Sequence, residues 1–152
     1  MQISTFSDYC LRILIYLATC EGQRASSREI ADRYAISGHH VAKASKWLVR
    51  EGYVIGVRGR GGGLTLSRAP ELIVIGDVLR KNEEDAGLVE CMRADGGSCV
   101  ISGACGLTGI LEEAKEAFFR TLDLYTLADA VSHRHVLARM LMTHDKGISG
   151  TA

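Results

Sequence analysis

The run YVIGVRGRGGGLTLS, residues 53–67, limits what this chain can fold into more than any other stretch. Two short β-like runs, residues 53–57 and 64–66, flank a glycine-rich turn. That is the pattern of a β-hairpin, here with Arg58 and Arg60 at its tip. What precedes the hairpin reads as helix. Phe6, Cys10, Ile13, Leu14 and Leu17 recur at helical spacing and form one face over residues 5–20. Ser26 with Glu29 makes a capping box and predicts a second helix start. After the tight turn AIS, Ser37 is expected to cap a third helix, GHHVAKASKWLVREG, which Gly52 ends. Its buried face is expected at Val41, Ala44, Ser45 and Leu48, leaving His39, His40, Lys43, Lys46 and Arg50 outward. Three helices followed by a basic hairpin make a winged helix-turn-helix.

The rest of the chain supplies a different kind of element. After Pro70, IGDVLRKNEE reads as a short helix, followed by a loop that holds three of the five cysteines. Beyond it Leu107, Leu111, Ala114, Phe118, Thr121 and Tyr125 recur three and four apart, a narrow seam suited to pairing with a second helix. TLADAV starts another helix at Thr126. The fold class expected is therefore mainly α with a small β wing: a winged helix-turn-helix domain plus a long dimerisation helix. The divisions are residues 1–70 for DNA binding and 71–106 for the short helix and cysteine loop. Residues 107–143 then hold the dimerisation and C-terminal helices, and 144–152 are expected to be a disordered tail.

Net charge is zero over the 152 residues, but it is unevenly placed. Residues 1–70 carry ten Lys and Arg against five Asp and Glu; residues 71–152 carry eight against thirteen. A basic front half points to an anionic partner, and the winged helix makes that partner double-stranded operator DNA. The start of the third helix, Gly38, His39, His40 and Lys43, is expected in the major groove. Ser27 and Arg28 open the second helix, where a phosphate can be bound. Arg58 and Arg60 on the wing suit a narrow minor groove. The opening MQISTFSDYC lacks the regions of a signal peptide, and the apolar stretch at residues 11–20 is short and broken by Arg12. A cytoplasmic protein with no membrane contact is expected.

The cysteine loop, ECMRADGGSCVISGACGL, has no helical or strand period, so something other than a packed core must order it. Structural zinc sites bring their ligands in close pairs. Here seven residues separate Cys91 from Cys99 and five separate Cys99 from Cys105, with no histidine between. That spacing suits a wrap around something larger, and an iron–sulfur cluster fits. Three thiolates leave one iron with a weaker ligand, which suits a sensor better than an electron carrier. Electron carrier and zinc-stabilised adaptor remain the alternatives from other classes.

FSDYCLRILIYLA, YVIGVRGRGGGLTLS, IGDV and YTLADAV, taken with the three-cysteine loop, resemble the iron–sulfur winged-helix repressors of bacteria, and within them a nitric-oxide-sensitive branch. The resemblance covers residues 1–140. It implies a homodimer crossed by its long helices, with nitric oxide as the signal. It also implies a cluster held by Cys91, Cys99 and Cys105, for which [4Fe–4S] is favoured over [2Fe–2S]. In some members an acidic residue on helix one of the partner subunit supplies the fourth ligand, and the matching position is Asp8. Asp8 and Cys10 lie about 200° apart around a helix, so they cannot both face one site. Cys10 belongs to the apolar face and reads as a core thiol, as does Cys20. The cysteine loop is longer than in enterobacterial members, which leaves an iron-availability or redox-responsive regulator of the same fold as the alternative.

Overall fold

The computed structural model describes residues 2–20, 22–83, 86–93 and 95–143, so the tail expected over 144–152 lies outside the described residues. Helix α1 (Thr5–Thr19) is capped by Ser4, whose hydroxyl accepts the Ser7 N–H. Its apolar stripe is the spine of the core: Cys10, Ile13, Leu14, Tyr16 and Leu17 are all buried. Helix α2 (Ser27–Tyr34) begins after Ser26, which accepts the Glu29 N–H at 3.0 Å. Only half of the expected capping box forms. The Glu29 carboxylate accepts instead from the Tyr16 hydroxyl at 2.8 Å, tying α2 to α1.

Ala35 then turns the chain at φ 52°, in the left-handed region, which costs a residue with a Cβ about 1–2 kcal/mol. Helix α3 (Gly38–Arg50) follows. Its buried residues are Val41, Ala44, Ser45 and Leu48, as the periodicity predicts. Ser37 holds the N-cap position, yet its side chain makes no capping hydrogen bond.

Strands β1 (Val54–Val57) and β2 (Gly63–Leu66) pair antiparallel, Val54 opposite Leu66 and Val57 opposite Gly63. The hairpin is also tied to the helices. Leu64 exchanges backbone hydrogen bonds with Ala25 at 2.8 and 3.1 Å, so the α1–α2 connection acts as a third edge. At the tip a Cβ on Gly62 would collide with the Val57 carbonyl oxygen, so this glycine is required by the turn itself.

Helix α4 (Ile75–Glu83) packs Val78 and Leu79 inward and leads to the cysteine loop. Helix α5 (Leu107–Leu122) returns along it. Arg80 of α4 donates to Glu116 at 2.9 Å and Asp123 at 2.7 Å and lies 4.8 Å over the Phe119 ring. Gly76 meets Asp123 so closely that a Cβ would overlap its carboxylate. The segment after Pro70 pairs with the chain beyond α5: Ile75 N–H donates to the Tyr125 carbonyl and Leu127 N–H to that of Ile73. Helices α6 (Leu127–Ala130) and α7 (Arg134–Thr143) then fold back onto the winged domain. Leu127 and Val131 are buried in its core, and Leu137 and Leu141 pack against it.

The expected seam on α5 divides between two faces. Phe119 is buried, and Leu111, Phe118 and Leu122 are half-buried, all facing their own chain. Leu107, Ile110, Ala114, Ala117, Thr121 and Leu124 are exposed, spaced 3, 4, 3, 4 and 3. This stripe keeps a regular coiled-coil period, with Ile110 65% and Leu124 77% exposed. The difference has a simple cause. The helix has two apolar faces, and a seam drawn by spacing alone steps from one to the other.

Candidate nucleic-acid interface and cysteine loop

The residues expected at DNA lie at the openings of α2 and α3 and on the turn of the β1–β2 hairpin. Gly38, His39, His40 and Lys43 open α3 and are exposed, as are Arg28, Arg58 and Arg60; Ser27 is half-buried. Two of the α3 side chains are held from behind by α1. His40 stacks on Tyr9 with centroids 5.7 Å apart, and Lys43 Nζ lies 5.7 Å from the Phe6 ring centre. Phe6 also meets Trp47 edge-on at 5.9 Å. The first two turns of α1 therefore back the outward face of α3 that carries His40 and Lys43.

Between α2, α3 and the wing runs a groove of about 580 Å³, whose lining includes Ser26, Ser27, Ser45, Lys46, Arg58 and Gly59. Ser27 Oγ donates to Ser45 Oγ at 3.3 Å, so that hydroxyl serves helix packing, while Ser26 caps the helix. Lys46 stands in this groove with Arg58. It continues the outward row of His39 and Lys43, a spacing from which its place could be read.

The cysteine loop hangs between the end of α4 and the start of α5. Cys91 sits in a tight turn of three residues, Glu90–Met92. The Glu90 carboxylate accepts both the N–H (3.0 Å) and the hydroxyl (2.8 Å) of Ser98. Those bonds, the side-chain one first, hold its carboxyl below the usual carboxylate range. The residues just before Cys91 and Cys99 are thus clasped together. Cys105 is fixed by its N–H to the Ile101 carbonyl at 3.0 Å, and Cys91 Sγ lies 3.5 Å from Thr108 Oγ1, in the first turn of α5.

All five cysteines are free, and the loop's three are half-buried. Among the described residues no three His, Cys, Asp or Glu side chains are gathered closely enough to hold a metal ion. The donor set nevertheless fits a thiophilic cluster: three free thiols on hydrogen-bonded turns of one loop. Cys10 is of another kind. It is fully buried, and burial pushes its thiol up to about 12 despite a hydrogen bond with Asn82. Cys20 is also raised, chiefly by burial. Asp8 pairs with Arg12 at 2.9 Å, both side chains about two-fifths exposed. No described helix is long and apolar enough to cross a membrane.

Comparison with known proteins agrees with this architecture. The HTH-type transcriptional regulator NsrR of Geobacillus kaustophilus is 43% identical over 142 residues, covering 93% of this chain and 97% of that protein. NsrR of Bacillus subtilis matches equally, at 43% identity, 93% and 97%. Among solved structures, CymR, the global cysteine regulator of B. subtilis, superposes with a TM-score of 0.64 at 30% identity, over 88% of this chain and 98% of that one. IscR of T. potens gives 0.66 at 27% identity, over 88% of each. These relatives are transcriptional regulators and not enzymes. The family described as Rrf2, iron-dependent transcriptional regulator, matches residues 3–133, and with the winged helix and relatives of this identity the chain belongs to that family.

Proposed function

We propose that the chain is a homodimeric repressor that holds an iron–sulfur cluster on Cys91, Cys99 and Cys105 and leaves its operator when nitric oxide arrives. The observation that carries this reading is the three-thiol loop between α4 and α5, on a chain whose curated relatives bear the name NsrR. The family suggests DNA binding and dimerisation, and the relatives named NsrR and IscR suggest the cluster.

When bound, such a cluster supplies iron open to attack by nitric oxide. The chain's own residues do the rest. Cys91 links the loop to α5 beside Thr108. Asp8 is the proposed fourth ligand, given across to the partner subunit's loop. A carboxylate is a hard ligand, more readily displaced than a thiolate. Its ion pair with Arg12 is part-exposed, so exchanging it costs little. His39, His40 and Lys43 meet base edges, Arg58 and Arg60 enter the minor groove, and Arg28 and Lys46 face phosphates, with Ser27 contributing through the α2 N-terminus rather than its hydroxyl.

A two-fold dimer makes the operator a pseudo-palindrome with half-sites about one helical turn apart. Arg60→Ala is expected to weaken operator binding by about 1–3 kcal/mol at matched salt, leaving visible absorption unchanged. Wild-type affinity in a filter-binding titration would remove the wing from the interface.

The test of the whole reading is anaerobic purification followed by iron analysis, visible spectroscopy and titration with nitric oxide. Absorption and operator binding are expected to vanish together. If chelation of iron releases the operator while nitric oxide leaves it bound, the iron-availability reading replaces this one.

A further inference from the structure

Glu83, the last residue of α4, is a buried carboxylate that the reading above does not use. Its Oε1 accepts the Ser4 N–H at 2.9 Å and the hydroxyls of both Ser4 and Ser7. Ser4 is the N-cap of α1 and Ser7 lies in its first turn. One carboxylate therefore gathers three donors at the positive end of the α1 dipole. It does so at the point where α4 hands over to the cysteine loop.

We propose that Glu83 is a positioning residue that couples the cysteine loop to the recognition helix through the first two turns of α1. The contacts are continuous. Glu83 fixes Ser4 and Ser7. The same two turns carry Phe6 and Tyr9, which hold Lys43, Trp47 and His40 of α3. They also carry Asp8. A change at the end of α4 must either drag the start of α1 with it or break the Glu83 bonds and leave the buried Ser7 hydroxyl without its carboxylate acceptor. Breaking buried bonds of this kind is costly, so dragging wins. The recognition face then moves because α1 stands directly behind it. Physical coupling of this sort is carried by packed side chains and hydrogen-bond networks that act as one body.

This coupling rests on the cluster reading, and the experiment separates the two. Operator affinity is measured for the cluster-loaded and the cluster-free full chain, in wild type, Glu83→Ala, Glu83→Gln and Ser7→Ala. In wild type the loaded form binds much tighter. In Glu83→Ala the ratio of the two affinities is expected to fall by roughly tenfold, while iron content stays at the wild-type level. Glu83→Gln keeps an oxygen that accepts the serine protons and is expected to restore most of the ratio. Ser7→Ala removes one donor only and should give an intermediate ratio, so the idea stays open to test if Glu83→Ala folds poorly. Hydrogen exchange at the Ser7 and Asp8 amides of the cluster-free chain is expected to speed up in Glu83→Ala, a readout that needs no cluster. An unchanged ratio in Glu83→Ala, with only a lower melting temperature, overturns the coupling and leaves Glu83 as a fold-holding residue. A wild-type ratio of one overturns the cluster reading itself, and the coupling with it.

Discussion

Alanine at Cys91, Cys99 or Cys105 is expected to abolish both visible absorption and specific operator binding, whereas alanine at Cys10 or Cys20 leaves both intact. The two sets differ in environment. A thiolate, not a thiol, binds iron. Cys10 is fully buried between α1 and its neighbours, and burial holds its thiol protonated at neutral pH. The cost of ionising it there is the cost of placing a charge in an apolar core. Cys20, at the end of α1, is pushed the same way. The loop cysteines are half-buried, sit on turns held by local hydrogen bonds, and lie within one segment. Removing one of three thiolates leaves two, too few to keep a cluster on one subunit. Cys10→Ala removes a single sulfur from the core and should cost about 1 kcal/mol through a small cavity. Iron content, absorption and operator titration of the five single variants decide the matter. Iron retained in Cys99→Ala but lost in Cys10→Ala would overturn the ligand assignment.

Glu90 bears on the same prediction. Its two hydrogen bonds to Ser98 clasp the backbone just ahead of Cys91 and Cys99. Nothing in the sequence marks Glu90 as special, because the loop has no period and the pair lies eight residues apart. The spacing of the loop's cysteines is written in the sequence, while its hydrogen-bonded geometry is not. Elsewhere the division runs the same way. The buried face of α3 was legible because burial follows a 3.6-residue period that side chains must obey. Caps were legible only in part. Ser26 caps as the sequence predicts, but Glu29 prefers the distant Tyr16 hydroxyl, and Ser37 makes no capping bond. Local signals lose when a partner far along the chain offers a better bond. The bridge from Ala25 to Leu64 and the bonds from Glu83 to Ser4 and Ser7 join residues tens of positions apart, and no local pattern encodes them. These are also the contacts that fix the wing and the start of α1, so their mutual placement had to come from the structure.

The exposed stripe on α5 yields the other large effect. Leu107, Ile110, Ala114 and Ala117 form an exposed apolar row on α5, continued by Thr121 and by Leu124 just past the helix end. Phe119 and its neighbours already fix α5 on its own domain. The stripe is therefore free to pair, and Ala114 and Ala117 at its centre let a second helix come close. Replacing both Ile110 and Ala117 with glutamate puts two charges on that row. In the single chain both positions are exposed, so folding should be nearly unchanged. In a dimer packed along the row, the charges would be buried without partners, a cost of several kcal/mol that separates the subunits. A monomer carries one recognition helix and loses the effective concentration that a linked pair supplies, a factor on the order of 100 to 10,000 in affinity. Ile110→Glu with Ala117→Glu is expected to sediment as a monomer, to keep the wild-type circular dichroism, and to bind a full operator no better than a half-site. A variant that remains dimeric and protects the whole operator would show that the subunits meet elsewhere.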